Sequence, residues 1–160
     1  MFNHAPSDYI CPLCLAIKGI EGDKTMMKQA DIIYKDDLVM GAINSKFVGN
    51  NPGHVIVVPV KHYENFYDLP ETEVNRIMKI ARQIAIAMKE IRKCDGVMLQ
   101  QNNEPASGQH AFHYHLHIFP RFENDDFINA QKNVHVATYE ERKIHSDAFK
   151  IYFQNSPIKL

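Results

Sequence analysis

Three histidines alternate in the segment Phe112-His113-Tyr114-His115-Leu116-His117-Ile118-Phe119. In extended backbone successive side chains point to opposite faces, so His113, His115 and His117 share one face at spacings of about 7 Å. Phe112, Tyr114, Leu116 and Ile118 share the other, and that apolar face can pack on a helix. A neutral imidazole is a nucleophile or a metal ligand, and a protonated one is a cationic donor, all near neutral pH. A face of three such rings can therefore hold a metal ion, or surround a phosphate with a nucleophile and donors. The residues alone leave both open.

A second set lies at the other end of the chain. Cys11-Pro12-Leu13-Cys14 has the two-residue gap that lets two thiolates hold one tetrahedral ion. Redox motifs share this spacing but stand in a βαβ context that the sequence lacks. Cysteines number three, an odd count that fits reduced thiols or a metal site better than a disulfide framework. Cys94, at the end of a long helix, is given no chemical role. His4, His135 and His145 show no supporting spacing and are read as surface residues.

The elements that must position these groups can be read from periodicity. Residues 30–34 and 38–43 read as strands, divided by the polar turn Lys35-Asp36-Asp37. Asn50-Asn51-Pro52-Gly53 is a loop signal, and the β-branched run 54–58 follows it as a strand. Residues 71–92 form the clearest helix. Val74, Ile77, Ala81, Ile84, Ala85, Met88 and Ile91 keep the three-and-four spacing of one buried face, with Pro70 and two glutamates at its start. Asp95-Gly96 turns the chain into a strand over 97–101, a polar loop runs from Asn102 to Gln109, and the histidine strand follows. A last helix covers 138–153. Strands outnumber helices and most connections are short, which implies an α+β fold with an antiparallel sheet.

With these segments in place, His113-Tyr114-His115-Leu116-His117-Ile118-Phe119 resembles the motif that defines the histidine-triad family of nucleotide hydrolases and transferases. Gly108-Gln109 ahead of it and Pro52-Gly53-His54-Val55-Ile56-Val57-Val58-Pro59 resemble two further family segments. The likeness runs from about Cys11 to Arg121, within a single domain spanning 1–160 whose tail, 122–160, it leaves unassigned. It implies a five-stranded antiparallel sheet with one long and one or more short helices. It also implies that His115 attacks an α-phosphorus to form a covalent nucleotidyl-histidine, from which water or another acceptor then takes the nucleotidyl group. By the same resemblance His117, Gln109 and Asn102 sit at the phosphates, His54 backs the triad from an adjacent strand, and Asn44 contacts the ribose where an acidic residue often stands. His110 takes the place of a family serine or threonine near the leaving group. His117 further separates this chain from the uridylyltransferase branch, which carries glutamine there.

The zinc-containing bacterial members are similar in the cysteine pair as well. The resemblance implies one structural zinc per chain, held by Cys11, Cys14, His62 and His113, and a homodimer. The bond cleaved is left open between a dinucleoside polyphosphate and a phosphoramidate or adenylate. Two rivals of other kinds stand beside the hydrolase: a non-catalytic nucleotide sensor, and a zinc hydrolase using the triad as ligands. A formal net charge of −1 gives no global field for nucleic acid or an anionic membrane, and no apolar stretch reaches the roughly 20 residues of a span. The N-terminus lacks a signal-peptide pattern, so a cytoplasmic location is expected.

Overall fold

The structure, a computed structural model, describes residues 2–159. The chain runs α1 (Pro12–Ile17), β1 (Ile32–Lys35), β2 (Val39–Ile43), β3 (Lys46–Val48), β4 (Val55–Pro59), α2 (Glu71–Arg92), β5 (Gly96–Gln100), β6 (Leu116–Arg121), α3 (Phe127–Ala130), β7 (Val134–Val136) and α4 (Tyr139–Asn155). Five strands form an antiparallel sheet in the order β1-β2-β4-β6-β5, and β3 and β7 pair separately. This is the α+β fold with a five-stranded antiparallel sheet that the resemblance implies. No described helix is long and apolar enough to cross a membrane.

Alternation along the strands divides the molecule into two layers of packing. Ile43, Val55, Val57, Leu116 and Ile118 turn to one face, where they bury Ile77, Ile80, Ile84 and Met88 of α2 and Phe149 of α4. Met40, Ala42, Ile56 and Val58 turn to the other face and pack under Leu13, Ala16 and Ile17 of α1. The candidate site opens on this second, α1-bearing face. The buried stripe of α2 is centred slightly differently from its sequence reading. Ile80 and Ala87 are buried, while Val74, Ala85 and Ile91 are only half-buried. Lys93 closes the helix in the left-handed conformation with φ 50°.

The segment after Phe122 adds to the core. Thr138 and Glu141 form a reciprocal capping box that starts α4. Arg142 of that helix is buried against Asp31, with 3.0 Å between Nε and Oδ1, and also bonds the Ala137 carbonyl. Removing one partner of so buried a pair typically costs about 3–5 kcal/mol. His145 is not a surface residue as its sequence context suggested. It lies half-buried over Gly53, with its Nδ1 2.9 Å from Arg92 Nη1. Gly53 has φ +77°, and a Cβ there would come within 2.6 Å of that guanidinium, so both backbone and contact require glycine.

The histidine segment also departs from its reading as one continuous strand. Regular pairing begins only at Leu116, opposite Val57. The next positions outward on β4 lead to Pro59, which has no N–H to offer a ladder. Tyr114 instead donates to the Tyr63 carbonyl at 2.6 Å, and His113 leaves the common face. The short β3–β7 pair was not legible, because three-residue strands carry too little periodicity to be seen.

Candidate active site and metal-binding cluster

The bend before β6 sends neighbouring histidines to different places. His113 is fully buried and meets Cys11, Cys14 and His62. One ligand atom from each of these four lies within 4.8 Å of all the others. Cys11 caps the N-terminus of α1 and Cys14 lies within its first turn, so the helix itself brings the two sulfurs together. His113 Nδ1 is 3.3 Å from Cys11 Sγ and 3.5 Å from Cys14 Sγ, and His62 Nδ1 is 3.3 Å from Cys14 Sγ. His113 Nε2 donates to the Pro59 carbonyl at 3.0 Å, which fixes the tautomer that turns a bare Nδ1 toward the sulfurs. Two thiols and two imidazoles converging from one helix and two loops fit a closed tetrahedral ion of the structural kind. Burial pushes both thiols up. At Cys11, contacts with His113 and His62 outweigh this and hold it down at about 5.

His115 and His117 turn instead into a cleft of about 380 Å³ between α1, the 23–27 loop, the end of β2 and the 108–111 loop. Asn44, Ile56, His110, His115 and His117 line it, with Leu13, Met26 and Met27 as apolar wall and Lys24 and Lys46 at its edge. Hollows of about 510 and 500 Å³ on the outer face of α2 contain no histidine, so size alone does not identify the site. The His115 and His117 rings stand 4.8 Å apart, closer than the strand spacing because His115 precedes the regular strand. His115 Nδ1 donates to the His113 carbonyl at 2.7 Å. With its proton held there, Nε2 carries the lone pair. Burial lowers the His115 pKa, only partly opposed by that bond, so the ring is uncharged at neutral pH.

His54 immediately precedes β4 and lies beneath the cleft, stacked on Phe119 at 4.2 Å and 5.3 Å from the His117 ring. Burial drives its pKa to about 3 and carries His117 well below the ordinary imidazole value. The site therefore rests on neutral imidazoles. Asn44 reaches the cleft, and its amide bonds His54 Nε2 at 2.7 Å. His110 is exposed at the cleft rim.

The structure does not bring Gln109 and Asn102 into the cleft. Gln109 is buried, with Oε1 accepting from the Glu104 N–H at 2.7 Å and Nε2 donating to the Glu64 carbonyl at 2.8 Å. Asn102 Nδ2 donates to the Ser107 carbonyl, also at 2.7 Å. Both amides shape the loop before the triad, with Gly108 at φ +90° close against Asn102. Sequence reasoning missed the strap across this loop. His4 and Ala5 donate backbone N–H groups to Glu64, and the His4 ring meets Glu104 at 2.9 Å. No motif marks these N-terminal residues.

The family model of the HIT domain matches residues 26–124. The chain is similar to an uncharacterised HIT-like protein of Saccharolobus solfataricus, at 32% identity over 150 residues, covering 94% of this chain and 96% of that one. It is 29% identical over 140 residues to a bis(5'-adenosyl)-triphosphatase of Dictyostelium discoideum, covering 84% and 93%. A Zn-bound histidine triad family protein of Mycobacterium smegmatis shares the fold with a TM-score of 0.71 at 23% identity, over 91% of this chain and 94% of that one.

Proposed function

Because the chain belongs to the HIT family, whose relatives include nucleotide hydrolases, we propose that it hydrolyses a nucleotide at the α-phosphorus through a covalent intermediate on His115. The observation that carries this reading is the 2.7 Å bond from His115 Nδ1 to the His113 carbonyl, which leaves Nε2 bare toward the cleft. In the first step Nε2 forms a bond to phosphorus as the bond to the leaving group breaks, and the leaving group departs with its electron pair. Water then attacks the phosphorus, the P–N bond breaks with its electron pair returning to Nε2, and the proton lost by water passes to solvent. His117 stabilises charge on the phosphate oxygens. His110, at the rim, stands where a leaving phosphate exits. Asn44 keeps one lone pair of Oδ1 for a ribose hydroxyl.

The dinucleoside polyphosphate reading is supported by the Dictyostelium relative and by Lys24 and Lys46 at the cleft edge, which suit a chain of phosphates. Its test compares kcat/KM for a diadenosine polyphosphate, adenosine phosphoramidate and an aminoacyl-adenylate. Highest turnover of the polyphosphate supports this substrate class, and no turnover of any of the three would favour a nucleotide sensor.

Cys11, Cys14, His62 and His113 would hold one zinc, which when bound supplies a tetrahedral tie between the N-terminus and the segment carrying His115. With four protein ligands such an ion would have no open position, and the chemistry it would supply is structural. We also read the protein as a cytoplasmic homodimer without nucleic-acid or membrane partners. The dimer is supported by β5, an edge strand carrying exposed Leu99, beside α2 with exposed Met78 and Ile86. Light scattering at micromolar concentration should find twice the 18.4 kDa chain mass.

A further inference from the structure

Asn44 and His54 meet because the β2–β4 ladder continues one step past its last strand pair. Ile43 lies opposite Val55, and the Asn44 N–H then donates to the His54 carbonyl at 2.9 Å. Directly opposed residues put their side chains together on one face of a sheet. Here Asn44 Nδ2 comes within 2.7 Å of His54 Nε2. The other end of the amide, Oδ1, accepts from the Ser45 backbone N–H at 2.9 Å. A backbone N–H can only donate, so it fixes which end of the Asn44 amide is oxygen. The amide nitrogen therefore faces the imidazole, and it too can only donate. His54 Nε2 must accept, which leaves the ring proton on Nδ1.

We propose that Asn44 is a positioning residue that holds His54 as the uncharged Nδ1–H tautomer, so that His54 offers a proton donor rather than a lone pair to the neighbouring His117 ring. The functional weight of this assignment rests on the reading of His117 as the phosphate-side histidine. The geometry does not. His54 Nδ1 and His117 Nδ1 are both buried and both lack a partner among the described residues, and their rings are 5.3 Å apart. A donor on His54 and an acceptor on His117 are complementary. A His117 ring whose Nδ1 accepts carries its own proton on Nε2, ready to donate to a phosphate oxygen.

The surroundings favour the neutral form. Burial and the nearby His115 push the His54 pKa down to about 3, and the titratable groups beside it, His115 and His117, are themselves imidazoles. An acid at position 44 would reverse this logic. Its carboxylate would accept from an Nε2–H and stabilise the imidazolium, so Asn44→Asp is the discriminating variant.

The experiment is a long-range ¹H–¹⁵N spectrum of the intact protein labelled in its histidine rings, with His54 assigned by the signals lost in His54→Gln. The wild type is expected to show His54 protonated at Nδ1 and bare at Nε2 at neutral pH. Asn44→Asp is expected to move the proton to Nε2, and Asn44→Leu to give a mixture of both tautomers. An Nε2–H on wild-type His54 overturns the proposal, as does a His54 pattern identical in wild type and both folded variants. The readout needs no turnover. A protein that hydrolyses no nucleotide yet shows this tautomer would refute the hydrolase reading and leave the role of Asn44 standing.

Discussion

His113 and His115 stand two residues apart, yet their nitrogens face opposite situations. In the buried cluster His113 has both nitrogens partnered, Nε2 by the Pro59 carbonyl and Nδ1 by the sulfurs of Cys11 and Cys14. At the cleft His115 has one nitrogen anchored and the other open, and His117 and the underlying His54 each keep a buried nitrogen without a partner among the described residues. The first arrangement is closed and suits a structural ion. The second retains unsatisfied groups next to a cavity, which is the state that a ligand or a reaction completes. One residue type serves both ends because an imidazole's role depends on what its second nitrogen meets.

Substitution in the cleft is expected to have the larger effect. His115→Ala should lower kcat on the order of 10⁵-fold with little change in melting temperature, since no neighbouring ring can attack from the same point. Near-normal turnover would remove His115 from the chemistry.

Disrupting the cluster should show the reverse pattern. The purified protein should contain one zinc per chain, and Cys11→Ser or a strong chelator should lower the melting temperature by about 10 °C or more. Activity measured in the cold should fall much less. Metal-free protein of unchanged stability would contradict the closed site, and abrupt loss of activity with folding intact would point to an ion at the reacting phosphate.

A smaller effect is expected at the rim. His110→Ala should lose roughly 10–100-fold in kcat/KM on polyphosphate substrates, the scale of one donor near the leaving group, and His110→Ser should recover part of it. Equal rates for all three proteins would place His110 in solvent.

The smallest effect lies outside both clusters, under α4. Burial and the adjacent Arg92 push the His145 pKa from 6.5 down to about 4. Above pH 6.5 the ring is neutral in folded and unfolded chains, and its contribution to stability is whole. As pH falls from there the unfolded chain takes up the proton first, so stability is lost progressively and the loss is complete below about pH 4. Allowing for its partial exposure, the loss is about 1–2 kcal/mol. His145→Gln should flatten the fall in melting temperature between pH 7 and 4.5 by a few degrees, while the drop due to His54 remains. Superimposable curves would show that His145 is not held neutral.

How much of this was legible in the sequence depended on whether a group's partners were local. The long helix and the main strands followed from periodicity, and the grouping of Cys11, Cys14, His62 and His113 followed from motif resemblance. The division of the triad between two sites was not legible. It depends on Pro59 ending the neighbouring strand and on Tyr63 taking the Tyr114 N–H, contacts that cross some fifty residues. Gln109 and Asn102 were expected at the phosphates from the family resemblance. Their amides instead meet backbone groups at Glu64, Glu104 and Ser107. His145 had no local signal, because its burial comes from α4 crossing over the Gly53 turn. The tautomer of His54 required the amide orientation of Asn44, which only the Ser45 N–H fixes.

A bond between the open nitrogen of His115 and phosphorus is the intermediate proposed for the hydrolysis. The direct measurement is mass spectrometry of enzyme quenched in acid-free denaturant during turnover of a diadenosine polyphosphate, followed by digestion. A nucleotidyl adduct is expected on the peptide containing His115, absent from His115→Ala. An adduct on another residue, or steady turnover with none on any peptide under conditions that preserve phosphorus–nitrogen bonds, would contradict it.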